Sequence, residues 1–87
     1  MEYYLDGENF VDKDATYDYL IEELNLPEYQ GRNLDALWDT LSMYKDVEIR
    51  ILNARSIQRN LGEYGTYLLD LFGELDRLKT LDVWMKW

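Results

Sequence analysis

The sequence predicts an α/β fold, a small parallel sheet with helices packed over it. Three observations carry this. First, three short stretches alternate in side-chain character: EYYLD (Glu2 to Asp6), VEIRIL (Val47 to Leu52) and LDVWMK (Leu81 to Lys86). Second, the chain between each successive pair holds two segments with helical rather than strand periodicity. Third, strands joined through such long connections pair in parallel by right-handed crossovers, which stacks the helices on the sheet. Eighty-seven residues suit a single domain spanning residues 1–87, because a second core would be too small to hold itself together.

Each element follows from local chemistry. In the first strand Tyr3 and Leu5 share one face and Tyr4 takes the other, before Gly7 ends the run. Asp12 or Asp14 caps the first helix. Its Tyr17, Leu20, Ile21 and Leu24 fall at i, i+3, i+4 and i+7, one apolar stripe, and the only proline, Pro27, is expected to close it. Pro27 to Arg32 reads as a loop in which Gly31 is free to take a positive φ. Asn33 caps a second helix from Leu34 to about Met43, with Leu34, Leu37 and Leu41 facing inward. In the second strand Val47, Ile49 and Ile51 oppose Glu48, Arg50 and Leu52, so one face is only half covered. Ala54 to about Leu61 forms a short helix. Gly62 and Gly65 punctuate the approach to a stronger one carrying Leu68, Leu71, Phe72, Leu75 and Leu78. In the last strand Leu81, Val83 and Met85 oppose Trp84, and Trp84 and Trp87 are expected to pack in the core and at the sheet edge.

The totals exclude several functions. Hydrophobic residues make up 47% of the chain, enough for a core without disulfides. Eighteen acidic against nine basic residues give a formal charge of −9, which repels nucleic acid and anionic membranes and attracts basic partners. With no cysteine or histidine, thiolate nucleophiles, cysteine-ligated zinc and imidazole chemistry are absent, and the composition fits a reducing cytoplasm. The first ten residues lack a basic region followed by an apolar run, and no stretch approaches the length of a membrane span, so the protein is expected to stay soluble where it is made.

One segment stands out. LPEYQGRNLDALWD, Leu26 to Asp39, places Asp35 and Asp39 at i and i+4, about 6 Å apart at Cβ on one helix face, with Trp38 beside them. Such a pair repels itself, and Asp39 lies beyond the first turn, where the helix dipole gives little relief. Two acids so placed are ordinarily a solvated helix face. The flanking residues argue otherwise, because the segment resembles the signature of the barstar family, intracellular protein inhibitors of secreted microbial guanyl-specific ribonucleases. Pro27, Glu28, Tyr29, Gly31 and the run Asn33 to Asp39 stand in the family's order.

That resemblance implies a three-stranded parallel sheet with four helices, and a second helix and preceding loop that plug a ribonuclease active site. Carried over by position, Tyr29, Gly31, Asn33, Asp35, Trp38, Asp39, Ser42 and Tyr44 line the contact surface, with Glu74 on the last helix as an outlying contributor. The chain departs from the family at Gln30, where an aromatic is frequent, and at Arg32, where an acid is common. Arg32 puts a positive charge near Asp35, and either an added contact to the partner or an internal pair with Asp35 fits the sequence.

The implied partner is a basic secreted ribonuclease in a 1:1 complex, with no cofactor, metal, nucleic acid or membrane involved and a monomer when free. A ribonuclease gathers cations to hold phosphates, and carboxylates can stand in for those phosphates. A carboxylate-pair enzyme is disfavoured, because so small a domain has little room for a deep cleft. DGENFVDKD, Asp6 to Asp14, fails the calcium-loop pattern. An acidic module binding some other basic protein stays open as the alternative.

Overall fold

The computed structural model describes residues 1–87. Its elements run β1 (Glu2–Asp6), a 3-10 turn (Gly7–Asn9), α1 (Lys13–Glu23), α2 (Leu34–Leu41), β2 (Glu48–Leu52), α3 (Ala54–Leu61), α4 (Glu63–Arg77) and β3 (Asp82–Met85). The three strands form one parallel sheet in the order β1-β2-β3, with β2 central. Each crossover carries two helices, as the spacing of the apolar runs requires.

Register sorts the side chains into two faces. Tyr3, Ile49 and Val83 lie abreast, as do Leu5, Ile51 and Met85, and this face meets the helices. Leu5, Ile49 and Ile51 are buried in one cluster with Tyr17, Leu20 and Leu24 of α1 and its cap, Leu37 and Leu41 of α2, Ile57 of α3, and Leu68, Phe72 and Leu75 of α4. Burying a side chain of this size stabilises by about 1.5–3 kcal/mol, so α2, only eight residues long, depends on its two leucines more than on helix propensity. The opposite face carries Tyr4, Arg50 and Trp84 abreast and stays open to solvent. This is the half-covered sheet that the VEIRIL alternation implies. No helix is long and apolar enough to cross a membrane.

Several local expectations are corrected. Asp12 caps α1, its carboxylate accepting from the Ala15 amide at 2.8 Å. Pro27 does not close that helix. Asn25 does so two residues earlier, adopting φ 55°, while the Leu26 amide bonds back to the Ile21 carbonyl at 3.0 Å in a left-handed C-cap. α2 stops at Leu41 rather than near Met43, with Ser42 as its cap. Gly65 lies inside α4 rather than before it. A Cβ there would fall 2.4 Å from the Ile57 carbonyl oxygen, so the residue lets α3 and α4 touch backbone to backbone. Leu78 is not part of the buried stripe; it caps α4 and is exposed. Neither C-terminal tryptophan joins the core. Trp84 is on the open sheet face with the Arg50 guanidinium 5.7 Å from its ring centre, and Trp87 is exposed beyond β3.

Candidate functional site

The segment Pro27 to Asp39 forms one exposed edge of the molecule. Asn33 starts α2, its side-chain oxygen accepting from the Ala36 amide at 2.8 Å, a cap of about 1 kcal/mol. Cap and leucines together orient the helix: Leu37 and Leu41 turn inward, Asp35 and Asp39 outward into solvent, and Trp38 lies partly buried against the core between them. Asp35 occupies the first turn, where the helix dipole favours an anion; Asp39 is one turn further on.

Neither aspartate is neutralised from within. The chain makes three ion pairs, Arg32 with Asp18, Arg50 with Glu48 and Arg77 with Glu74, and none involves Asp35 or Asp39. Arg32 makes no internal pair with Asp35; its counter-ion is Asp18. Arg32 Nη2 reaches Asp18 Oδ1 at 3.0 Å and the Asp14 carbonyl at 2.6 Å, both on α1, with its guanidinium 5.9 Å from the Tyr17 ring centre. Although Arg32 precedes Asp35 by three residues, it lies before the helix cap, so the i, i+3 neighbour rule does not apply to it.

The loop rests directly on α2. Gly31 does not adopt a positive φ, contrary to expectation. Its lack of a side chain matters for space instead, since a Cβ would come 2.7 Å from that of Ala36. Tyr29, Gly31 and Asp39 line one open depression of about 350 Å³ together with Gln30, Thr40 and Met43. Tyr29 is 90% exposed, so a large amphipathic ring stands in water beside a carboxylate.

Of the nine residues singled out by sequence, the structure gathers seven along α2, its caps and its loop, and sets two apart. Ser42 caps the helix end, its hydroxyl donating to the Trp38 carbonyl at 2.7 Å. Tyr44 is tied down, its hydroxyl donating to the Leu24 carbonyl at 2.7 Å and its ring 6.5 Å from that of Tyr3. Burial, helped by Tyr3, pushes the Tyr44 hydroxyl above its ordinary pKa. It lines a different depression, at the N-terminal ends of the strands. Glu74 borders a third, with Asp70 and Trp87, and is bound by Arg77, whose hydrogen bond holds its carboxyl below the ordinary range. Sequence reasoning passed over Thr40 and Met43. Met43 lies beyond the helix end at Leu41, so helical spacing does not mark it.

Fold and edge together define a small acidic two-layer α/β domain that exposes two unneutralised carboxylates and an aromatic on its second helix and preceding loop. The chain belongs to the barstar family: the family model described as Barstar (barnase inhibitor) matches residues 1–85. It is also 35% identical over 72 residues to the protein named "Putative ribonuclease inhibitor YrdF" from Bacillus subtilis (strain 168), a match covering 80% of this chain and 79% of that protein.

Proposed function

We propose that this chain inhibits a basic secreted ribonuclease of the guanyl-specific microbial kind, acting in the cytoplasm as a 1:1 blocker of the active site rather than as an enzyme. The observation that carries the reading is the pair Asp35 and Asp39, exposed, one helical turn apart and without an internal counter-ion. Family membership and the name of the Bacillus subtilis relative support it.

The mechanism follows from charge and solvent. A cleft built to hold RNA phosphates concentrates Arg, Lys and His, whose mutual repulsion is relieved by anions. Asp35 and Asp39 enter in place of two phosphates, and the repulsion they carry in the free domain is relieved in the same step. Tyr29 and Trp38 cover the contact with apolar surface, excluding water and strengthening each ionic hydrogen bond. Gly31 lets the loop pack closely on Ala36 of α2, and Asn33 holds the helix start in place. Ser42 borders the contact at the far end of α2, whereas Tyr44, tied to the Leu24 carbonyl in a separate depression, lies outside its centre. Glu74, already paired with Arg77, contributes at the rim, where charges count for little.

The alternative is an acidic module that binds some other basic protein, and Arg32, a cation where the family commonly has an acid, is one ground for it. With Asp18 beside it, that charge is offset internally, and this ground for a different partner weakens. Titrating the purified domain into a guanyl-specific microbial ribonuclease digesting RNA tests the proposal. Activity falls in proportion to added domain and reaches zero near one equivalent; unchanged digestion at micromolar excess rules out inhibition of that enzyme class.

A further inference from the structure

Two side chains of the loop before α2 reach other elements: Gln30 is buried against α2, and Arg32, itself exposed, extends to α1. Gln30 is 7% exposed. Its Oε1 accepts from Thr40 Oγ1 at 2.6 Å, and its Nε2 donates to the Gly31 carbonyl at 3.2 Å. The Gln30 amide donates to the Pro27 carbonyl at 2.9 Å, closing a turn with Glu28 and Tyr29 at its tip. On the other side, Arg32 fastens the loop to α1 through Asp18 and the Asp14 carbonyl. The loop is thus anchored to α2 by one side chain and to α1 by the other, while Tyr29 stands out between them.

We infer that Gln30 is a positioning residue: through Thr40 it holds the Pro27 to Arg32 loop in its binding shape before any partner arrives, so that Tyr29 and Asp39 already line one depression in the free protein. This rests on the inhibitor reading above for what the loop binds, and on the geometry alone for the latch. The physical reason is entropic. A loop that must be ordered on binding loses affinity for each side chain immobilised, and one held beforehand does not. The buried amide serves better than an apolar side chain because its hydrogen bonds have direction. It fixes where the loop backbone sits on α2, whereas apolar contact would let it slide. Arg32 adds a second, more exposed anchor, an ion pair and a hydrogen bond to α1.

A double-substitution cycle tests this, with inhibition of a guanyl-specific microbial ribonuclease as the readout. Gln30→Ala weakens inhibition by about three- to ten-fold, the cost of ordering one or two side chains. The loss caused by Tyr29→Ala shrinks at least three-fold in the Gln30→Ala background, because Tyr29 is no longer held in place. A Tyr29→Ala loss of equal size in both backgrounds overturns the inference, even if Gln30→Ala lowers thermal stability. Thr40→Val, which keeps shape and removes the hydroxyl, reproduces Gln30→Ala, and Thr40→Ser behaves as the unmodified protein. A partner-free measurement separates the two readings. In Thr40→Val, hydrogen exchange at the Gln30 amide accelerates at least ten-fold while the β2 amides are unchanged, and equal exchange at Gln30 overturns the latch. If the unmodified domain and Asp39→Ala both leave the ribonuclease untouched, the inhibitor reading falls and the exchange measurement alone decides the latch.

Discussion

Asp39 and Glu74 are both carboxylates on helix surfaces, and their neighbours set them apart. Glu74 has Arg77 one turn away; Asp39 has Asp35. Asp39→Ala is expected to weaken ribonuclease binding by about 2 kcal/mol or more, because it strands partner cations in a desolvated contact, while Glu74→Ala costs well under 1 kcal/mol. Equal losses in isothermal titration would place the centre of the contact elsewhere. In the free domain the order reverses: Asp35→Asn or Asp39→Asn leaves unfolding free energy within about 0.5 kcal/mol of the original or improves it, since a like-charge pair is removed. A loss of several kcal/mol in chemical denaturation would mean these acids support the fold. The pairing of Asp35 with Asp39 was legible in the sequence because i, i+4 neighbours on a helix need no tertiary information. The destination of Arg32 was not, since α1 is brought beside it only by folding.

At the scale of elements, the sequence pattern identified the three strands and four α-helices but not the 3-10 turn at Gly7–Asn9, and the boundary errors fall at element ends. Asn25 and Lys79 end α1 and α4 by taking positive φ, a backbone choice made by non-glycine residues that the sequence marks only weakly. Trp84 was misplaced because a sheet covered on one side leaves alternate residues in water whatever their hydrophobicity, and Trp87 because β3 ends at Met85, before reaching it. Two glycines inside α4 give a paired prediction. Ala favours a helix interior over Gly by about 1 kcal/mol, so Gly73→Ala, with no heavy atom within 4 Å of the new Cβ, raises stability by about that much. Gly65→Ala gains the same propensity, but its Cβ meets the Ile57 backbone, and overpacking outweighs the gain by about 1–2 kcal/mol. Melting temperatures moving in opposite directions support the α3–α4 contact; parallel shifts would contradict it.

Over the whole molecule, the charge of −9 produces a field, and the exposed aspartates of α2 give it a place to act. Surface charges act over roughly 10 Å at 0.1 M salt, so complementary fields speed encounter most at low ionic strength. The fold class and the acidic edge could both be read from residue order. The latch at Gln30 and the clamp at Arg32 could not, because each joins the loop to a helix through contacts that only the packed chain creates. The central claim is that α2 keeps two carboxylates unneutralised for a cationic cleft. Its most direct test is the association rate with a guanyl-specific microbial ribonuclease, followed by stopped flow across a salt series, for the unmodified domain and for Asp35→Asn/Asp39→Asn. A steep fall with salt in the first and a clearly shallower, slower dependence in the second is the predicted result; identical salt dependence in both would contradict it.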